Sequence, residues 1–154
     1  RVEQRIRASY DYAFRPPPDL HAGGVPQLRF ERIGLQAFHV FGGRVQPLRL
    51  KHGKYFDVLG FRVGNVAYCT DVNEIPDESL AQLTGLDVLV LDALRPHGHA
   101  THFSLDEAVA IAQHLKPRQT YFTHMAHELE YDAANASLPA GMQLGYDGLR
   151  IPLT

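Results

Sequence analysis

At 154 residues and a net charge of −2, the chain is long enough to bury a core and carries no basic field of the kind that nucleic-acid binding needs. No apolar run approaches a membrane span and no signal peptide is visible, so no membrane partner is expected. The single cysteine, Cys69, excludes an internal disulfide and fits a reducing, cytoplasmic compartment.

Arg1 to about Tyr12 places Val2, Ile6 and Tyr10 near helical spacing, and Pro16-Pro17-Pro18 ends that helix. Asp19 to Pro26 reads as a loop, Gln27 to Ile33 as a weakly alternating strand, and Ala37 to Phe41 as a second strand. Gly42-Gly43 then turns a hairpin into the strand that ends at His52. In that strand Leu48, Leu50 and His52 share one face while Arg49 and Lys51 share the other, which turns His52 inward beside leucines. Val58 to Val63 forms the next strand. Past the Gly64-Asn65 turn, the apolar run from Val66 to Thr70 stops at Asp71.

Asn73 to Leu83 reads as a loop and short helix that Gly85 stops. Asp87 to Leu91 is a buried strand ending at Asp92. Ser104-Leu105-Asp106-Glu107 is a capping-box sequence. The helix it opens carries Leu105, Ala108, Ile111, Ala112 and Leu115 as one apolar stripe. Gln119 to Phe122 is a strand ending at Thr123-His124, with a short helix predicted from about Ala126 to Ala134. Met142 to Leu144, a turn at Asp147-Gly148 and a last strand from Leu149 to Leu153 finish the chain. Hairpins in the first half and alternating strands and helices in the second predict an α/β fold, one compact unit with helices packed outside sheets.

Asp71, Asp92 and His124 end short strands and His52 ends another, and side chains at strand ends converge on one sheet edge. Taken alone, Asp92 reads equally as a turn cap and His52 as a core histidine bonded to backbone. His97 and His99 have the spacing of a two-histidine metal motif, but their glycine-containing loop fits solvent exposure as well. His102, just before the Ser104 cap, sits near the positive helix end, where it suits an anionic group and proton donation to a leaving oxygen. His127 reads either as a site residue or as a surface histidine, and Cys69, mid-strand, as a core thiol.

Assembled, these segments resemble the metallo-β-lactamase superfamily of metal-dependent hydrolases. They are His52-Gly53, GFRVGNVAYCTD ending at Asp71, DVLVLDALR, THFSLDEAVAIAQHL, YFTHMAH and LGYDGLRI. The subgroup they look closest to is that of the phosphodiesterase of the carbon–phosphorus lyase pathway, related to the tRNA 3′-processing nucleases. The resemblance implies part of an αββα sandwich lacking its N-terminal segment, and a dinuclear site of two divalent ions, zinc or manganese. In that site His52 would bind the first ion, Asp71 would bridge both and His124 would bind the second. His102 would contact phosphate and protonate the leaving group. Arg95 would contact phosphate, and His127 matches a separate structural-metal position of some members.

The implied partner is a small phosphodiester, with an RNA end as the alternative substrate. The family's His-x-His-x-Asp-His loop is absent from the sequence. The expectation is therefore a fragment with an incomplete site, working with a segment that supplies the rest, associating with further copies through an uncovered sheet face, or holding no activity of its own.

Overall fold

The computed structural model describes residues 2–15, 18, 21 and 23–152. Arg1, the Pro16-Pro17 stop, Asp19 at the head of the predicted loop and Leu153 of the predicted last strand lie outside them. The chain divides into two compact units, the first up to Gly34 and the second from Leu35.

The first unit holds α1 (Val2–Ser9) and α2 (Asp11–Phe14). Glu3 accepts from Arg7 on its own helix at 2.9 Å and from Arg32 at 3.0 Å. The Arg7 guanidinium lies 4.7 Å from the Phe14 ring centroid and 5.0 Å from that of Phe30, and these two rings stack. The strand predicted over 27–33 is not formed. The Leu28 N–H donates to the Ala13 carbonyl rather than to a neighbouring strand, and Phe30 is engaged in the aromatic stack.

The second unit is one mixed sheet of seven strands in sequence order: β1 (Phe38–Val40), β2 (Gly43–His52), β3 (Phe56–Val63), β4 (Val66–Cys69), β5 (Val88–Asp92), β6 (Gln119–Thr123) and β7 (Met142–Leu144). The hairpin at Phe41-Gly42 has positive φ at both central residues, the turn whose twist suits tightly joined strands. The β1 to β4 ladders are antiparallel and those from β4 to β7 parallel. Parallel neighbours need crossovers. These are α3 (Asp77–Leu80) with a 3₁₀ turn at Ala81–Leu83, α4 (Leu105–Leu115) and α5 (Tyr131–Ser137).

All three crossovers pack on the same face. Leu83, Ala108, Ala112 and Ala134 join Leu48, Leu50, Cys69, Leu89, Leu91, Phe122 and Leu144 in one buried cluster. The Cys69 thiol belongs to that cluster, and burial pushes its pKa up to about 12, so it behaves as the core thiol its position implied. On the other face the register aligns Phe61, Tyr68, Val90 and Tyr121, where Tyr68 is half exposed. An α/β architecture with helices outside a sheet is what the sequence predicted.

The Ser104 capping box forms in full: its hydroxyl accepts from the Glu107 N–H, and the Glu107 carboxylate accepts from the Ser104 N–H. Two boundaries differ from expectation. The last helix starts at Tyr131, not near Ala126, because the Glu130 carboxylate caps the N–H groups of Asp132 and Ala133. The strand predicted from Leu149 is not formed over 149–152. There the Leu149 N–H closes a turn onto Tyr146, and Pro152 has no N–H to give a ladder.

Candidate metal centre

Two antiparallel steps separate β2 from β4, so β2 runs in the same direction as β4, β5 and β6, and their C-terminal ends share one edge. His52 is the last residue of β2. Asp71 lies two residues past the end of β4 and His124 directly after β6, and both are left-handed, with φ of 58° and 61°. Side chains other than glycine pay for that conformation; here it turns an imidazole and a carboxylate out of the strands and over the edge.

Backbone bonds then gather the loops. The segment after Asp71 crosses back to the end of β2: Asn73 N–H donates to the Lys51 carbonyl, Lys51 N–H to Glu74, and Gly53 N–H to Asn73 Oδ1 at 2.6 Å. The loop from Ala93 to Phe103 is held by Leu94 N–H on the Phe103 carbonyl and Phe103 N–H on Val72. Gly53, at φ +71°, makes room for it: a Cβ there would stand 2.7 Å from Thr101 Cγ2.

The result brings ligand atoms of His52, Asp71 and His102 within 4.8 Å of one another. His52 Nδ1 lies 3.0 Å from the Thr101 carbonyl. A carbonyl only accepts, so Nδ1 carries the proton and Nε2 keeps its lone pair. His102 Nδ1 donates at 2.8 Å to Asp92 Oδ2, which also accepts from the Val72 N–H at 3.2 Å. Two imidazoles are thus fixed with unprotonated Nε2 atoms beside a carboxylate. That nitrogen and oxygen donor set, with each histidine oriented by a further acceptor, fits a divalent ion such as zinc.

His124 adjoins the group. Its Nε2 is 3.6 Å from Asp71 Oδ1 and its ring 4.7 Å from that of His102. His99 lies 5.4 Å from His102, ring to ring. His97 is exposed on the same loop and His127 on the turn before α5, and neither joins the compact group among the described residues. The Arg95 guanidinium is engaged by its own loop, donating to the His97 and Gly98 carbonyls, and lies 3.9 Å from Glu128.

Asp92 is fully buried and its Oδ1 has no partner. Burial pushes its carboxyl up to about 7, and burial together with His52 holds His102 below the usual imidazole range. Near neutral pH the pair therefore shares a proton more readily than it forms two full charges. Desolvation, with Arg95 and His102 nearby, also lowers His99. Reading the sequence marks Asp92 only as a strand-end residue. Its contact with His102, ten positions on, is made by the loop. Thr101 and Gly53 fall inside segments that carry the resemblance, but nothing in the sequence gives either of them a role.

The beta-lactamase superfamily domain family matches residues 1–125, and the chain belongs to that family, the metallo-β-lactamase superfamily. Among solved structures it is similar to a diphosphatase of the PhnP family, at 40% identity and a TM-score of 0.83 over 96% of this chain and 53% of that one. The metallo-β-lactamase-fold protein YhfI of Bacillus subtilis shares the fold at 17% identity and a TM-score of 0.61, over 74% of this chain and 51% of that one. An octanoyltransferase of Porphyromonas gingivalis is 28% identical over 96% of this chain, which spans 30% of that protein. The chain thus spans about half or less of these relatives. Among the described residues no helix is long and apolar enough to cross a membrane.

Proposed function

We propose that this chain carries the larger part of a metal-dependent hydrolase site acting on small phosphoesters, a phosphodiester or a diphosphate. The observation that carries this reading is the compact His52–Asp71–His102 group with both imidazole tautomers fixed from behind. The 40% identity to a PhnP-family diphosphatase supports phosphorus as the reacting centre. His52 and Asp71 would hold a divalent ion, zinc or manganese, and His124, beside Asp71, would serve a second one. Ions held there supply Lewis acidity toward a phosphoryl oxygen and make water more acidic.

The chain's own part is proton management. His102 presents an unprotonated Nε2 to the site while its Nδ1–H is held by the buried Asp92 carboxyl, so Nε2 takes a proton from the attacking water and passes it to the departing oxygen. Asp92 fixes the orientation of the ring by accepting from Nδ1–H. An RNA end is a weaker fit, since net charge is −2 and phosphate-backbone binding draws on clustered lysine and arginine.

The compactness of the group also favours a second reading, in which His102 is itself a ligand with Asp92 as its orienting carboxylate. One variant separates the two. His102→Ala should lower hydrolysis of bis(p-nitrophenyl) phosphate by about 10²–10⁴-fold with zinc content by elemental analysis unchanged. Loss of zinc along with activity makes His102 a ligand. A zinc-loaded wild-type protein that hydrolyses neither phosphodiesters nor diphosphates ends the phosphoester reading.

A further inference from the structure

The loop that closes the site carries a histidine which the metal group leaves out, and its hydrogen bonding differs in sense from that of its neighbours. Thr101 N–H points at His99 Nδ1 at 3.3 Å, and the Thr101 hydroxyl lies 3.1 Å from the same atom. A backbone N–H can only donate, so His99 Nδ1 is the acceptor and the neutral ring carries its proton on Nε2. His52 and His102 are fixed the other way round, with their protons on Nδ1 and lone pairs on Nε2. Thr101 therefore sets two rings in opposite tautomers: its carbonyl makes His52 an acceptor at Nε2, and its N–H makes His99 a donor there.

A histidine locked as an Nε2–H donor has no lone pair for a cation at that atom, and His99 is absent from the compact ligand group. It is exposed, while its ring lies 5.4 Å from that of His102. The loop beneath it is braced by Arg95, whose Nε and Nη2 take the carbonyls of His97 and Gly98. It is also seated against Gly53, where a Cβ would strike Thr101. A braced neutral donor beside a site of acceptors and one carboxylate suits an anionic oxygen that the substrate brings in.

We propose that His99 is a substrate-positioning residue: its Nε2–H donates to a non-bridging oxygen of a bound phosphoryl group, and it takes no part in holding metal. This rests on the phosphoester reading above. It also divides the His97–His99 pair, since the ring of His97 has no comparable anchor among the described contacts.

The test uses the zinc-saturated protein and inorganic phosphate, with affinity read by calorimetry and zinc content by elemental analysis. His99→Ala should weaken phosphate about tenfold without changing zinc content, and His99→Gln, which keeps a donor, should recover most of that loss. Long-range ¹H–¹⁵N correlation should show the Nε2–H tautomer for His99 and the Nδ1–H tautomer for His52. Zinc loss in His99→Ala overturns the proposal by making His99 a ligand. Unchanged phosphate affinity, or an Nδ1–H tautomer at His99, overturns it while leaving the phosphoester reading intact. Wild-type protein that takes up zinc but not phosphate removes that reading, and this inference with it.

Discussion

The layer beneath α4 and the edge a few residues further along the same strands obey different rules. Under the helix, Leu89, Leu91 and Phe122 are fully buried, and β5 and β6 stay in register across five aligned residue pairs. At the edge, Asp71 and His124 are left-handed, Asp92 is buried with an unpaired oxygen, and three histidine rings crowd around one another. The same strands serve both regions. Their interior supplies the stability and their ends hold the conformations that a chain avoids when nothing compels them. Thr120 Oγ1 in the layer is also buried without a partner, and Phe41 and Lys116 are left-handed elsewhere, but only at the edge do such features stand beside converging donors.

The sharpest way to separate the two regions is to empty the layer. Phe122→Ala should cost about 3–5 kcal/mol in urea unfolding, with the loss felt by the whole sheet. A cost below about 1 kcal/mol would mean that the layer is not the stabilising part.

A smaller effect belongs to Asp92, where the regions meet. Asp92→Ala strands the Val72 N–H and the His102 Nδ1–H and should cost about 1–3 kcal/mol. Its pH dependence has a definite sign. The folded pKa is raised from 3.8 to about 7, so the folded state prefers the protonated carboxyl. That contribution is complete below about pH 4 and is lost as pH rises through 7. The wild type's advantage over Asp92→Ala should therefore shrink between pH 4 and 7.5, and an advantage that grows over that range contradicts the raised pKa.

The smallest effect has the opposite sign. His124→Gly relieves a left-handed residue and should raise stability by about 0.5–1 kcal/mol, while zinc affinity falls. If both fall together, the backbone at 124 is not strained and the contrast between layer and edge weakens.

Periodicity made most of the layer legible. Alternation marked β2, apolar runs marked β4 and β5, the capping box placed the start of α4, and the apolar stripe of that helix includes Ala108 and Ala112, both fully buried. These are local patterns, and the physics that selects them is local as well. Where a segment's outcome depended on a partner, the sequence misled. Residues 27–33 alternate weakly but pair with no strand, and the helix predicted from Ala126 begins only where Glu130 can cap it.

By itself the sequence also singled out His52, Asp71 and His124 as candidates for a metal site, since they stand at or near strand ends and the motif order resembles one superfamily; the compact group holds His52 and Asp71 with His102. What it could not determine is what each ring presents. The tautomers of His52 and His99 depend on which atom of Thr101 each one meets, 49 positions away for the first and two for the second. The burial that lifts Asp92 comes from a loop folding back onto Val72. Residue type sets which chemistry is available. Proton placement depends on which atoms meet, across 49 positions at His52 and within one loop at His99, and only the folded structure fixes those contacts.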